Sequence, residues 1–299
     1  MKSPLLKLFL FCLLFVAVER FCYVQTQGFR VGKILSPPHR DVRWHFPAPS
    51  EEERIELKKT LSQPFTFLSK GNECYAFVSE DGQYVLKFFK HQLLRLSFLH
   101  QAILTLPQTP FIRGLYRAKE ERLMRSFISC KSACDHFRSE TGIITHNLSK
   151  EWTIDSNVLL KDRLHIAHAV DLDQTTFILQ KKATLAPQKF KELMEEGKRG
   201  EALLCMESTL SLIGKRLRSG FYDRDFRPEE NIGFIGTQAI EIDTGSFIPD
   251  PSLNNHRAIK RAFLYDACEF QTWVAREHPS LVEPFQQMIG RYLEKACWD

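Results

Sequence analysis

The 299-residue chain has little of what would classify it at once. Its eight cysteines, at 12, 22, 74, 130, 134, 205, 268 and 297, contain no Cys-X-X-Cys pair. Zinc sites draw four ligands, usually from two close pairs. The tightest cluster, Cys130, Cys134 and His136 on an expected helix, has no second pair and reads as buried thiols. The same sparse spacing excludes a small disulfide-framed secreted fold. Charge of one sign is also scarce: 41 basic against 36 acidic residues give a net charge of +5. Without a dense basic stripe carrying interleaved aromatics, a nucleic-acid partner is not expected. No repeat recurs at solenoid or propeller spacing. A hydrophobic fraction of 43%, a charged fraction of 26% and 24 phenylalanines exclude collagenous, low-complexity and mostly disordered chains. What remains is one large domain or a two-lobed one with a sizeable core.

A long uninterrupted apolar run is missing as well. Lys2 and Lys7 precede eleven apolar residues, Leu8 to Val18. That run is short for a transmembrane helix and suits a signal-peptide core. Its cleavage region is poor, because Val16-Ala17-Val18 runs into Glu19-Arg20. Residues 1–24 therefore read as a signal peptide, an uncleaved anchor, or an upstream stretch that is never made. The chain is expected to be membrane-associated or exported through this segment, and cytoplasmic if the segment is no signal. Asn147-Leu148-Ser149 matches a glycosylation sequon, a pattern common by chance.

Residues 25–60 read as a connector, broken by Pro37, Pro38, Pro47 and Pro49. Ser50-Glu51-Glu52-Glu53 then offers a helix start. Three short strands follow: Phe65–Leu68, Cys74–Val78 and Tyr84–Phe89. The first two are joined by the Ser69-Lys70-Gly71-Asn72 turn, the last two by Glu80-Asp81-Gly82. Helical pattern runs from about 91 to 138, broken near Pro107 and Pro110. Strand patterns return at Gly142–His146, Leu164–His168 and Thr176–Gln180. Beyond Pro187 the chain turns helical through Leu217. A hairpin, Ile232–Ile235 with Ala239–Ile242, and a helical tail from about 257 to 296 close it. His165 and His168, three apart on an expected strand, would point to opposite faces, so a shared metal is not expected.

Two segments carry chemistry. Phe67-Leu68-Ser69-Lys70-Gly71-Asn72-Glu73-Cys74 leads into Tyr84-Val85-Leu86-Lys87. Gly220-Phe221-Tyr222-Asp223-Arg224-Asp225-Phe226-Arg227-Pro228-Glu229-Glu230-Asn231 leads into Glu241-Ile242-Asp243-Thr244-Gly245. A glycine between strands lets backbone N–H groups approach a phosphate, and Gly71 fits that place. A lysine ending an apolar strand holds a point charge at a fixed height, and Lys87 fits. An Asp-to-Asn loop presents a base and a hard-cation ligand on one turn; Asp225 and Asn231 fit, with Asp223 as the rival base. Asp243, in an Asp-X-Gly turn after a hairpin strand, fits a magnesium ligand.

In this order and context the chain resembles the protein kinase-like superfamily, which spans protein kinases and small-molecule kinases related to aminoglycoside phosphotransferases. The resemblance covers residues from about 65 to 299. It implies an α+β, bilobal fold with an antiparallel-sheet N-lobe over 61–183 and a mainly helical C-lobe over 184–299. It further implies ATP and Mg2+ as cofactors and a small molecule or protein as acceptor. Glu121, or its neighbour Glu120, would pair with Lys87, and backbone groups near Gln180 and Lys182 would meet adenine at a hinge between lobes. The departures are specific. The turn has one glycine where the family loop has three, and the Asp225-to-Asn231 spacing is one longer than the family loop. The histidine expected before the catalytic aspartate is absent, and Thr244 replaces the phenylalanine of protein kinases. No Ala-Pro-Glu type segment follows Gly245, and 54 residues remain after it. The implied function is an ATP/Mg-dependent phosphotransferase with an alcohol acceptor. The alternative is a catalytically weak pseudokinase serving as a nucleotide-binding or interaction module.

Overall fold

The structure, a computed structural model, describes residues 4–36, 44, 48–91, 110–149, 153–245 and 247–295. Pro37, Pro38, Pro47, Cys297 and the expected helix over 92–109 lie outside the described residues. The described elements are α+β in class. Contacts cluster in two units, each discontinuous in sequence: 1–120 with 146–179, and 121–145 with 180–299.

The first unit opens with α1 (Pro4–Gln25), 22 residues long. The eleven-residue apolar run understated it. Phe21, Cys22, Tyr23 and Val24 resume the apolar character after Glu19-Arg20, and the helix runs through both charges. Leu6–Gln25 is long and apolar enough to cross a membrane, by length and composition; a signal sequence meets the same description. Further along, α2 (Glu51–Leu61) starts where the acidic run predicts, with a reciprocal cap. Glu53 N–H donates to Ser50 Oγ at 3.3 Å, and Ser50 N–H donates to Glu53 Oε2 at 2.8 Å.

The strands β1 (Phe65–Lys70), β2 (Cys74–Ser79) and β3 (Tyr84–Phe89) form the expected antiparallel meander. They belong to a seven-stranded sheet with β4 (Ile143–Asn147), β5 (Asn157–Lys161), β6 (Ala167–Asp171) and β7 (Phe177–Lys181). Its order is β4-β7-β3-β2-β1-β5-β6. The boundaries between the two contact units fall inside β4 and β7. One sheet face is aromatic. Phe29 lies 5.1 Å from Phe77, 5.3 Å from Tyr75 and 6.2 Å from Phe67 between ring centroids. Such pairs add about 0.5–1.5 kcal/mol each beyond area burial. The connector thus completes the sheet's core: Phe29 and Ile34 are buried, and Ser36 N–H donates to Gln174 O.

The histidine strand was placed too early. Residues 162–166 form a turn, because buried Asp162 accepts the N–H groups of Leu164 and Ile166 at 2.8 and 3.0 Å. His165 sits in that turn at φ +60, and β6 begins two residues later. His168 is on β6, 3.0 Å from Asp162 Oδ2. The preceding strand, β5, had gone unread although Val158 and Leu160 are buried in alternation. Asn147 is 1% exposed, so the sequon's acceptor is inaccessible in the folded chain.

The second unit takes most of α3 (Pro110–His136), then α4 (Arg138–Thr141), β8 (Thr184–Leu185), α5 (Ala186–Glu195) and α6 (Arg199–Arg218). Next come β9 (Phe221–Asp223), α7 (Pro228–Asn231), β10 (Ile232–Ile235), β11 (Gln238–Glu241) and β12 (Phe247–Pro249). It closes with α8 (His256–Glu277) and α9 (Val282–Lys295), which replace the single tail helix expected. The break falls at Pro279, which starts a short turn after His278. The core joins Phe190 on α5, Leu210 and Ile213 on α6, Phe263, Phe270 and Trp273 on α8, and Phe285 on α9. Cys130 and Cys134 are buried thiols on α3, and burial pushes the Cys134 thiol up to about 11.

Candidate active site

The aspartate loop is built by short-range hydrogen bonds inside the second unit. Two short strands frame its start, with Asp223 on β9 opposite Phe247 on β12. Asp225 N–H donates to Asp223 Oδ1 at 3.0 Å, folding the chain over the Asp223 side chain. Asn231 N–H donates to Arg227 O at 2.8 Å, closing the single turn of α7. Asn231 Nδ2 then reaches back to the Asp225 carbonyl at 2.6 Å. Ile242 N–H donates to Asn231 O at 2.7 Å, so the strand leading to Asp243 is tied to the same residue. Asp243 is exposed, and its Oδ1 accepts Gly245 N–H at 2.9 Å. Asp225 is exposed too, and Arg227 Nη2 sits 3.1 Å from its Oδ2.

Asp223 and Asp225 differ in kind. Asp223 is 1% exposed, and burial pushes its carboxyl above the usual carboxylate range. It belongs to a buried charge cluster that sequence reasoning missed. Arg216 on α6 is ion-paired with Glu241 on β11 and with Asp266 on α8; all three are 1% exposed or less. Burial pushes Glu241 well up and Asp266 up to about 7. Burial raises both Glu241 and Asp223, the nearby Asp223 charge raises Glu241 further, and Arg216 opposes both shifts. The cluster had a signal in the sequence. Arg216 interrupts the apolar stripe Leu212-Ile213-Leu217, and Asp266 interrupts Phe263-Ala267-Phe270. A charge inside an apolar helical face asks for a buried partner.

Asn231 and Asp243 fit a hard divalent cation by their donor set. The amide nitrogen of Asn231 is fixed on a carbonyl, which leaves its Oδ1 without a donor among the described residues. Asp243 likewise uses one carboxylate oxygen locally and keeps the other. A close approach supports this placement. A Cβ at Gly233 on β10 would lie 2.6 Å from Ile242 Cδ1, 2.9 Å from Ala183 Cβ and 3.0 Å from Thr184 O. Glycine there lets β10 lie against β8 and keeps Asn231 at the head of its strand.

Among the hinge candidates, Gln180 is 2% exposed and its side chain is structural. Nε2 donates to Thr141 O and, at 3.4 Å, to Ile242 O. Lys181 N–H is taken by Gly142 O at 2.8 Å. Lys182 is exposed between β7 and β8, and Glu121 is exposed on α3.

The other candidates lie in the sheet unit. Lys87 is half-buried on β3 opposite Ala76 of β2, which itself pairs with Ser69 of β1. By strand alternation these three share the face opposite the aromatic cluster. At Gly71 the backbone amide is engaged locally. Its N–H donates to Cys74 O at 3.0 Å, so the amide that would approach a phosphate is taken up inside the turn. Its carbonyl accepts Lys90 Nζ, which also donates to Asn72 O at 3.2 Å and lies 4.5 Å from the Tyr75 ring centre. Burial lowers the Lys90 ammonium to about 8. Sequence reasoning passed over Lys90, whose position just past an apolar strand was the available signal.

No protein-family model matches the chain, and no curated protein is significantly similar. Among solved structures, the chain is similar to WbdD. A complex of WbdD with a kinase inhibitor gives 15% identity, covers 77% of this chain and 45% of that one, and has a TM-score of 0.35. A high-resolution WbdD structure gives 16%, 78%, 46% and 0.38 for the same quantities. A structure described as the bifunctional kinase-methyltransferase WbdD gives 16%, 75%, 42% and 0.34. The chain spans less than half the length of these structures.

Proposed function

We propose that the chain is an ATP- and magnesium-dependent phosphotransferase of the kinase-like superfamily, acting on an alcohol acceptor. The observation that carries this reading is the Asn231 amide bond to the Asp225 carbonyl. With the Ile242-to-Asn231 bond, it ties together the segments that carry an exposed carboxylate, an amide oxygen and a second exposed carboxylate. Phosphoryl transfer asks little else of a protein than such positioning. In this reading Asp225 accepts the acceptor's hydroxyl proton, and Arg227 keeps positive charge beside it. Asn231 Oδ1 and the Asp243 carboxylate hold magnesium, which when bound neutralises phosphate charge. Lys87 is assigned to the phosphates. Asp223 serves as the buried support under Asp225 rather than as the base.

The test is phosphate transfer from ATP by the full chain with magnesium. Asp225→Asn should lower turnover by about 10²–10⁴. Asp243→Ala should lower it by several decades, each worth about 1.4 kcal/mol. Unchanged turnover in both variants overturns the assignment.

A second reading, a nucleotide-responsive pseudokinase, is favoured by Gly71, whose amide is engaged within its own turn. ATP with magnesium should then raise the melting temperature without phosphate transfer. Ligand at 100 times its Kd stabilises by about 2.7 kcal/mol.

For α1 the reading is an uncleaved anchor, which leaves the site in a compartment that supplies ATP. Fractionation of tagged protein tests it. A cleaved, soluble, exported form overturns it.

A further inference from the structure

The end of α1 does not lead into a flexible tether. Gly28 N–H donates to Tyr23 O at 2.7 Å, and Gly28 itself sits at φ +72. Its carbonyl accepts Tyr75 Oη from β2 at 2.9 Å and Lys33 Nζ at 2.6 Å. The next residue, Phe29, is buried in the aromatic face of the sheet. The helix end is thus fastened to the sheet within four residues of its last turn.

Around that fastening basic groups outnumber acidic ones. Arg20, Lys33 and Lys70 each hold a cationic group 5.4 Å from the centre of the Tyr23 ring. Lys70 Nζ also reaches Tyr23 Oη at 3.5 Å. Glu19, the acidic residue of α1, is occupied by Arg30 at 3.1 Å. Desolvation lowers the Lys33 ammonium below its ordinary range; Arg30 and Lys70 add to the shift, and Tyr23 and Glu19 oppose it. Next to it runs the exposed apolar surface of α1 from Leu6 to Val18. An aromatic ring with basic side chains at the end of an apolar helix is the composition of a membrane–water interface.

We propose that Arg20, Tyr23, Lys33 and Lys70 form a binding surface for anionic phospholipid headgroups, which seats the sheet-bearing unit directly on the membrane at the end of α1. The occupant is lipid rather than an acidic protein because the surface is continuous with a helix of membrane-crossing length. The ring and the Arg20 side chain come from that helix itself. The inference goes beyond the phosphotransfer reading and does not depend on it.

The test uses the full chain reconstituted into vesicles of phosphatidylcholine, alone or with added phosphatidylglycerol. The readout is the rate of amine acylation at Lys33 and Lys70, resolved by mass spectrometry. Anionic vesicles should slow both by about fivefold or more, and high salt should restore them. Arg20→Gln, which leaves the Lys33 and Gly28 contacts intact, should weaken the protection by about fivefold. Equal rates in the two vesicle types overturn the proposal. So does equal protection in neutral vesicles by inorganic phosphate or by polyglutamate, which would mark a free-anion or acidic-protein site. A membrane-bound chain whose N-terminus is found beyond Tyr23 overturns it as well.

Discussion

The aspartate loop of the second unit and the β1–β2 turn of the first were read from the sequence with the same logic and built by the chain in opposite ways. In the loop, hydrogen bonds tie up backbone groups and leave side-chain oxygens over. Asn231 gives its nitrogen to Asp225 and keeps its Oδ1; Asp243 gives one oxygen to Gly245 and keeps the other. In the turn, hydrogen bonds consume the groups themselves. Gly71 donates its N–H to Cys74 and its carbonyl accepts Lys90. A residue type at the right spacing therefore marks a candidate, and local hydrogen bonding decides whether its polar atoms remain for a ligand.

The comparison can be broken at its supports. The largest effect is expected beneath the loop. Arg216→Met leaves Glu241, Asp266 and Asp223 buried without a counter-charge and should destabilise by about 3–5 kcal/mol in urea unfolding. Loss below 1 kcal/mol would show that the cluster does not hold the loop's floor.

The same cluster sets a pH dependence. Asp266 faces Arg216, Asp223, Glu241, Glu269 and Tyr222, and burial raises it to about 7 against roughly 3.9 in the unfolded chain. A raised acid binds its proton more tightly when folded. Its stabilisation is complete below about pH 4 and is lost as pH rises through 7, by up to about 1.4 kcal/mol per pH unit for one proton. Urea unfolding across pH 5 to 7 should show stability falling, and Asp266→Asn should flatten the slope. A rising slope contradicts the assignment.

Two glycines sharpen the contrast. Gly233→Ala puts a methyl against Ile242, Ala183 and the Thr184 carbonyl and should cost about 1–3 kcal/mol with loss of magnesium affinity. Gly71→Ala meets only Cys74 O at 3.7 Å, at a φ open to any residue, and should change stability by no more than about 0.5 kcal/mol. A large loss of nucleotide binding in Gly71→Ala would restore the cradle role to that turn.

Much of the fold was legible where local rules dominate. The meander over 65–89, the capped start at Ser50 and the 232–242 hairpin each carry their own turn or cap chemistry. Illegible parts depend on partners distant in sequence. β9 and β12 are three residues each and exist because they pair with one another. The histidine strand slipped because Asp162 claimed the N–H groups of the residues after it. Asp225, Asn231 and Asp243 were picked out by spacing, and the structure links their segments through the Asn231 bonds to the Asp225 carbonyl and the Ile242 amide. Arg216 and Asp266 were not assigned, because each appears in the sequence as a lone charge on its own helix.

The sequence alone singled out side chains suited to phosphoryl-transfer chemistry, the meander over 65–89, and an apolar segment near the N-terminus. These follow from side-chain chemistry and from periods of two to four residues. Only the tertiary structure decided that Asp223 is buried while Asp225 is exposed, that Lys90 occupies the Gly71 carbonyl, and that Lys33 and Lys70 gather around Tyr23. Burial and hydrogen-bond partnership are properties of atoms brought together across tens of residues, and no local pattern encodes them.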